Sequence, residues 1–144
     1  MGTTIDANVL IYATNTSDPA QVAAAELVGR LAAGPELVTL FWPVLMAYLR
    51  ISTHRAILPQ PLSAVSAEAN LAGLIARPNV RVCGEADGFW TTYADETGPR
   101  PAGNDVPDAH LVALMRQHGV GTIYTRDRGF RRFDGIRVVD PFAG

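Results

Sequence analysis

The chain opens with Thr3-Thr4-Ile5-Asp6-Ala7-Asn8-Val9-Leu10-Ile11-Tyr12-Ala13. The first three residues of this stretch are β-prone and predict a short buried strand, and residues 8–13 continue as a helical turn. The carboxylate of Asp6 therefore stands directly behind the end of a strand. In open parallel sheets, ligands bind beyond the carboxyl ends of the strands. The opening stretch thus predicts a strand that delivers an acidic side chain to that edge.

Strands and helices alternate along the rest of the chain. Further strands are predicted at residues 36–40, 79–83, 122–125 and 136–139. Helices are predicted at residues 18–33, 43–53, 63–76, 86–97 and 108–118, with a loop at residues 98–104. This order is typical of a parallel sheet that is covered by helices on both faces. We expect an α/β fold, a three-layer α/β/α sandwich whose central, mainly parallel sheet has about four to five strands.

The composition predicts a single globular domain. A chain of 144 residues with 48% apolar residues can fill one core, so we expect residues 1–144 to form one domain. No apolar run approaches the roughly 18 residues of a membrane span. The first residues lack the basic start and apolar stretch of a signal peptide. Cys83 is the single cysteine, which excludes an internal disulfide and favours a reducing compartment such as the cytosol.

The basic residues are unusual in kind and in position. All twelve are arginines, and the net charge is only −2. Five of them lie close together in the sequence, namely Arg126, Arg128, Arg131, Arg132 and Arg137. Because the planar guanidinium fork matches phosphate geometry, residues 126–133, here called the arginine turn, are a candidate for binding a phosphate backbone. The alternative is a solvated loop whose arginines pair with Asp134 and Asp140.

Two further aspartates occupy positions comparable to that of Asp6. Asp108 lies in Val106-Pro107-Asp108-Ala109-His110-Leu111 and opens a predicted amphipathic helix, and Asp127 follows the predicted strand 122–125. If the first and fourth strands are neighbours, all three carboxylates share one edge of the sheet. Carboxylates grouped in this way are hard oxygen ligands for Mg²⁺ or Mn²⁺. Metal-dependent phosphodiester chemistry is therefore the first hypothesis.

Each of these residues also has a structural alternative. Asp6 is a favoured residue for capping the helix that follows it, and Asp108 suits the same role before its apolar helix, where Asp105 competes with it. Asp127 could instead order the arginine turn through ion pairs. Thr125, two residues before Asp127, is expected either to hydrogen-bond a carboxylate or to pack at a strand end.

Four stretches together resemble a known family. They are residues 5–13, 107–114, 125–133 and 139–141, which follow the family's order and spacing across nearly the whole chain. On these stretches the chain resembles the PIN-domain ribonucleases, specifically the toxins of VapBC-type toxin–antitoxin modules. Each motif is short, and the specificity of the resemblance lies in their combination.

The resemblance implies an activity and a set of site residues. The activity is that of a Mg²⁺- or Mn²⁺-dependent endoribonuclease that leaves 5′-phosphate and 3′-hydroxyl ends. The implied catalytic residues and metal ligands are Asp6, Asp108 and Asp127, with Asn8 and Thr125 supporting them. The residues expected to bind RNA phosphates are Arg126, Arg128, Arg131 and Arg132.

The resemblance also implies partners and a location. The partners are an RNA substrate and a cognate antitoxin protein, and the toxin is expected to form homodimers, or heterotetramers and larger assemblies with the antitoxin. Because helices 18–33 and 43–53 are rich in apolar residues, we expect an amphipathic antitoxin tail to lie in a groove between them. No membrane is expected to take part, and the location is the cytoplasm of a bacterium or an archaeon.

One residue departs from the family pattern. The family carries a glutamate on its third helix, and alignment on Leu49-Arg50 places Ala47 at that position. No acidic residue occurs between Glu36 and Glu68. The alternative function is therefore a catalytically weak or inactive PIN-like module that binds RNA or antitoxin. A phospho-acceptor receiver domain, which also uses aspartates at this edge, is disfavoured because the chain has no lysine.

Overall fold

The computed structural model describes residues 2–96 and 100–142, in which five strands alternate with helices. The strands are β1 Gly2–Ile5, β2 Val38–Phe41, β3 Val80–Cys83, β4 Val120–Tyr124 and β5 Arg137–Val139. The α-helices are α1 Ala7–Thr14, α2 Gln21–Ala33, α3 Trp42–Ser52, α4 Ala64–Ile75, α5 Phe89–Thr91 and α6 Val106–Gln117. Helix α5 continues as a π-helical turn at Thr92–Glu96, and 3-10 turns lie at Gly103–Asp105 and Arg128–Arg132.

The strands form one sheet in the order β3-β2-β1-β4-β5, and every neighbouring pair in it is parallel. Strand β1 therefore lies at the centre of the sheet, between β2 and β4. Parallel strands need crossover connections, which the intervening helices supply. The predicted α/β sandwich with a central parallel sheet is confirmed, including the neighbourhood of the first and fourth strands on which the site hypothesis depends.

The register between β1 and β4 decides which side chains meet at the carboxyl edge of the sheet. Ile5 pairs with Tyr124, so the residues that follow them, Asp6 and Thr125, leave neighbouring strands at the same level. The backbone N–H of Asp6 continues the pairing by donating to the carbonyl of Tyr124 at 2.9 Å. Two residues that are distant in sequence are thereby brought side by side.

The core holds these strand ends in place. Strands β1 and β2 are buried along nearly their whole length, as expected of a sheet that is covered on both faces. The largest fully buried side chains include Ile5, Leu40, Phe41, Leu45, Leu114 and Ile123. Because Ile5 and Ile123 belong to this core, the ends of β1 and β4 cannot shift without disturbing close-packed side chains.

The predicted starts of α2 and α6 are wrong. Helix α2 begins at Gln21 rather than at Asp18, because the Asp18 carboxylate accepts a hydrogen bond from the backbone N–H of Ala20 at 2.8 Å and closes a turn ahead of the helix. Helix α6 begins at Val106, two residues before Asp108, with a proline in its first turn. Asp108 therefore lies inside the helix and is not its N-cap.

The predicted helix 86–97 is shorter and less regular than expected. It begins at Phe89, because Gly88 adopts a left-handed φ of 82° that a helix cannot continue through. Beyond Thr91 the chain takes the wider π-helical geometry. Residue 97 and the first two residues of the predicted loop 98–104 lie outside the described residues.

Part of the apolar surface of helix α3 remains uncovered. Its buried side includes Val44, Leu45 and Tyr48, whereas Trp42 and Met46 are each 49% exposed. We predicted that this nearly all-apolar helix lies in the core or under a partner. One side of the helix does lie in the core, and the other side is exposed. In the described part of the chain, no helix is long and apolar enough to span a membrane.

Candidate active site

Asp6 is a helix cap and also a carboxylate at the sheet edge. It is the N-cap of α1, and its Oδ1 accepts a hydrogen bond from the backbone N–H of Ala7 at 2.7 Å. Its Oδ2 accepts a hydrogen bond from the hydroxyl of Thr125 at 2.8 Å. The structural alternative considered for Asp6 is therefore real, but it uses only one of the two carboxylate oxygens.

Thr125 connects the ends of β1 and β4. Its side chain is fully buried, and its hydroxyl oxygen accepts hydrogen bonds from the backbone N–H of Asp127 at 2.9 Å and from the amide of Asn8 at 3.3 Å. Since a hydroxyl carries a single proton, these two donors leave that proton for Asp6. The amide oxygen of Asn8 also accepts from the backbone N–H of Arg126 at 3.4 Å. Both residues expected to support the carboxylates thus lie beside Asp6.

Asp108 lies in the first turn of α6 and is partly buried. Its Oδ2 is 3.2 Å from Nη2 of Arg132, and the same nitrogen is 3.1 Å from Oδ1 of Asp105. One guanidinium therefore bridges two aspartates that are three residues apart at the start of one helix. The sequence suggested that Asp105 and Asp108 compete to cap the helix. In the structure both aspartates instead bind the same arginine.

Asp127 begins the 3-10 turn of the arginine turn. Its Oδ1 accepts a hydrogen bond from the backbone N–H of Gly129 at 2.8 Å. Among the described residues Asp127 forms no ion pair, so it orders the turn through a backbone hydrogen bond rather than through the ion pairs considered above. A Cβ at Gly129 would stand 2.9 Å from this carboxylate oxygen and 2.7 Å from Nη1 of Arg132. A larger residue at position 129 would therefore have to displace the ends of the Asp127 and Arg132 side chains.

Asp6 and Asp108 face a common cleft of about 130 Å³ at the carboxyl edge of the sheet. The other walls of the cleft are Ala7, Pro43, Val44, Ala47, Pro107, Leu111 and Phe130. Ala47 thus occupies the position at which the family resemblance places a glutamate, and a methyl group faces the two aspartates there. In the described part of the chain, the acids that line the cleft are Asp6 and Asp108.

The three aspartates lie within electrostatic range of one another. Burial raises the pKa of Asp6, and repulsion from Asp108 and Asp127 adds to this rise, while hydrogen bonds from Thr125 and from the backbone of Ala7 oppose it. Burial likewise raises the pKa of Asp108, with contributions from Asp127 and Asp105, while the hydrogen bond and the charge of Arg132 act in the opposite direction. Keeping Asp6 and Asp108 ionised together therefore costs free energy in the absence of a metal cation.

The carboxylate oxygens of these aspartates are chemically suited to bind a hard divalent cation. Carboxylate oxygens are the preferred ligands of Mg²⁺ and Mn²⁺, and an ion among these acids would relieve their mutual repulsion. Within residues 2–96 and 100–142, no three acidic, histidine or cysteine side chains already converge closely enough to hold an ion as they stand. One oxygen of Asp108 is instead held by Arg132.

The four arginines expected to bind RNA have different surroundings. The guanidinium of Arg126 lies over the rings of Tyr12 and Phe142, 5.3 and 5.2 Å from their centres. Arg132 is paired with Asp105 and Asp108. Arg128 and Arg131 are exposed and form no ion pair within the described residues.

The alternative that these arginines pair with Asp134 and Asp140 is not met in the described part of the chain. The Asp140 carboxylate instead accepts a hydrogen bond from the backbone N–H of Phe142 at 2.9 Å. The pairing of Arg132 with Asp105 and Asp108 was missed. The spacing of the two aspartates indicates only that they share one side at the start of the helix, because residues three apart lie on one face. It does not point to Arg132 as their partner.

Comparison with known proteins assigns the family. Residues 3–136 match the family model of the PIN domain. The chain belongs to the PIN-domain family. Its PIN-domain relatives include Ribonuclease VapC48 of Mycobacterium tuberculosis (strain ATCC 25618 / H37Rv), which is 50% identical over 145 residues that cover 100% of both chains. Ribonuclease VapC37 of the same strain is 32% identical over an alignment that covers 96% of both chains.

A solved structure shows the same PIN-domain fold. VapBC2 from Rickettsia felis, crystallised with a DNA fragment from its promoter, contains a chain that matches with a TM-score of 0.65 and 14% identity. The match covers 96% of this chain and 98% of that one. Together with the VapC relatives, this likeness confirms the predicted resemblance to the PIN-domain toxins of VapBC-type modules.

Proposed function

We propose that this PIN-domain protein is a Mg²⁺- or Mn²⁺-dependent endoribonuclease that acts as a toxin and is neutralised by a cognate antitoxin. The observation that carries the proposal is the meeting of Asp6 and Asp108 in one cleft, within electrostatic range of Asp127. The full-length identity of 50% to Ribonuclease VapC48 supports the same activity. It also gives no support to the alternative of an inactive binding module, for which the alanine at position 47 is the one argument.

The proposed metal ligands are Asp6, Asp108 and Asp127. When bound, such an ion supplies a Lewis acid that neutralises the charge developing on the phosphate and makes water more acidic. The protein's own part is to orient the carboxylates. Thr125 fixes one oxygen of Asp6 by hydrogen bonding, and Asn8 holds the Thr125 hydroxyl in the matching orientation. The apolar walls of the cleft keep the surroundings poorly solvated, which strengthens charge interactions there.

The proposed substrate is RNA, bound through its phosphates. Arg128 and Arg131 are exposed beside Asp127 and are available to phosphates that flank the scissile bond. Such contacts position a strand without reading its sequence. In-line attack by water on the phosphate would leave the 5′-phosphate and 3′-hydroxyl ends that the family resemblance implies.

The proposed partners are an antitoxin and a second copy of the toxin, and the proposed location is the cytoplasm. A small apolar groove is lined by side chains of the first four helices, namely Leu10, Ala13, Thr14, Val28, Tyr48, Asn70, Leu71 and Leu74. We propose that an amphipathic tail of the antitoxin binds in this groove. The half-exposed Trp42 and Met46 favour pairing of toxin subunits. A monodisperse monomer in light scattering, without affinity for the antitoxin encoded beside it, would count against both proposals.

The activity is tested by incubating the purified protein with total RNA. We expect cleavage in the presence of Mg²⁺ or Mn²⁺, no cleavage in EDTA, and a loss of at least about 100-fold in rate for Asp6→Ala, a range typical of removing a metal ligand or its support. The cleaved ends should carry 5′-phosphates. Equal cleavage by wild type and Asp6→Ala, prepared side by side, would show that the activity belongs to a contaminant or to another site.

A further inference from the structure

Arg132 is held in place by four separate contacts. Its Nη2 lies 3.1 Å from Oδ1 of Asp105 and 3.2 Å from Oδ2 of Asp108. Its Nη1 donates a hydrogen bond to the carbonyl of Gly129, and its guanidinium lies 4.6 Å from the ring centre of Phe133. A guanidinium held in this way has a defined position, unlike a free surface arginine.

The local backbone is built to bring Arg132 this close. A Cβ on Gly129 would stand 2.7 Å from Nη1 of Arg132, closer than Cβ atoms approach other heavy atoms in real structures. The 3-10 turn at Arg128–Arg132 thus folds back over a glycine and directs its last arginine toward the start of α6. By contrast, Arg128 and Arg131 of the same turn are exposed and form no ion pair among the described residues.

The two acids that share Arg132 lie in different surroundings. The side chain of Asp108 is 25% exposed and faces the cleft that it shares with Asp6, whereas the side chain of Asp105 is 62% exposed. Asp108 therefore has a second use as a proposed metal ligand, while Asp105 does not line the cleft. A cation at Asp108 and the guanidinium of Arg132 would compete for the same carboxylate, because like charges a few ångströms apart repel.

We propose that Arg132 is an internal counter-ion for the metal site, which neutralises Asp108 in the metal-free protein and keeps Asp105 as its only acidic partner when a divalent cation binds. This inference rests on the proposed function, since it takes Asp108 to be a metal ligand. The ion pair with Asp105 then holds the arginine after its contact with Asp108 is lost. The pair sets the affinity for the cation, so that Arg132 and Asp105 are positioning residues and not ligands.

The inference is tested by titrating Mn²⁺ into the whole protein by isothermal calorimetry, with thermal melting in EDTA as a second readout. Arg132→Gln should bind Mn²⁺ about three- to tenfold more tightly than wild type, since a partly exposed competing charge is removed. It should also melt at a lower temperature in EDTA, because Asp105 and Asp108 lose their shared cation. Arg132→Lys keeps the charge and should bind Mn²⁺ like wild type. Arg137→Gln, at the start of β5, is the control for loss of one exposed positive charge.

The variant Asp105→Asn distinguishes two explanations. Asp105 could act by holding Arg132 away from Asp108, or only through its own negative charge near the metal site. With Arg132 present, this variant should weaken Mn²⁺ binding, because Asp108 is then the only acid left to pair with the arginine. In the Arg132→Gln background, Asp105→Asn should have little effect. An equal loss in both backgrounds would mean that Asp105 acts only through its own charge, and would overturn the proposal.

The outcomes distinguish this inference from the proposed function. Unchanged or weaker Mn²⁺ binding by Arg132→Gln, with metal-dependent cleavage of RNA by wild type intact, overturns the counter-ion role alone. Absence of Mn²⁺ binding in wild type and in Arg132→Gln overturns the metal site and the counter-ion role together. Binding that appears only when Arg132 is replaced supports the competition directly.

Discussion

The carboxylate of Asp6 combines two functions in one side chain. One oxygen caps α1, and the other accepts a hydrogen bond from the hydroxyl of Thr125. Both hydrogen bonds favour the ionised form, but burial and the neighbouring acids outweigh them and raise the pKa of Asp6. The protein therefore retains a carboxylate whose charge costs free energy in the absence of a cation, as is common at functional sites.

Asp6→Asn should stabilise the metal-free protein at neutral pH. Since the folded-state pKa of Asp6 is raised, its ionisation opposes folding above that pKa, and the cost disappears as the pH falls through the folded pKa toward the unfolded one. We expect the melting temperature in EDTA at pH 7 to rise by about 2–4 °C for each kcal/mol of the cost of ionising Asp6, from burial and from the neighbouring acids, that is removed. The gain should shrink at acidic pH, where wild-type Asp6 is itself protonated.

Glu85→Gln is the matched control for this experiment. The hydrogen bond from His110 lowers the pKa of Glu85, so its ionised form favours the folded state. Removing that charge should not raise the melting temperature. A melting temperature of Asp6→Asn at or below that of wild type across the pH range would show that the cost of ionising Asp6 is smaller than the loss of one of the two hydrogen bonds that its carboxylate accepts.

At the scale of elements, the strand ends were predictable and the long-range contacts of the arginine turn were not. Short β-prone runs that end at Asp6 and before Asp127 placed both residues at the sheet edge. The start of α6 was misplaced because an aspartate before an apolar run is typical of a cap, whereas a proline upstream had already begun the helix. The pairing of Arg132 with Asp105 and Asp108 joins segments 24 and 27 residues apart, beyond any local pattern.

The arginine turn contains arginines with different tasks, which can be measured separately. Replacing Arg128 and Arg131 together with alanine should weaken RNA binding for all sequences. The slope of log affinity against log salt should fall by roughly one unit for each RNA phosphate that the variant no longer neutralises. Arg126→Ala should also lower the melting temperature, because its guanidinium covers the rings of Tyr12 and Phe142. Fluorescence anisotropy with labelled RNA at several salt concentrations gives the slope.

If the slope of log affinity against log salt is identical in wild type and in the Arg128→Ala, Arg131→Ala double variant, these two arginines do not bind RNA phosphates. The variant Arg137→Ala serves as the comparison, since that residue is exposed and lies at the start of β5 rather than in the turn. The cleavage pattern should stay the same in all three proteins, because phosphate contacts carry no base preference.

For the whole molecule, the fold follows from the alternation of strands and helices, and the cleft follows from the position of β1 at the centre of the parallel sheet. Family register placed Ala47 correctly in that cleft. The π-helical turn after α5 and the close approach of Arg132 to the start of α6 depend on tertiary packing, which no periodic pattern in the sequence encodes. The central claim is that the aspartates at the carboxyl edge form one cation site.

Anomalous diffraction from crystals soaked in MnCl₂ tests this claim most directly. We expect a manganese peak in contact with the carboxylates of Asp6, Asp108 and Asp127, with Asp105 as the only acid still paired with the guanidinium of Arg132. Crystals of Asp6→Ala treated in the same way should lose the peak. Absence of a peak in the wild-type cleft, or a peak that is unchanged in Asp6→Ala, would contradict the claim.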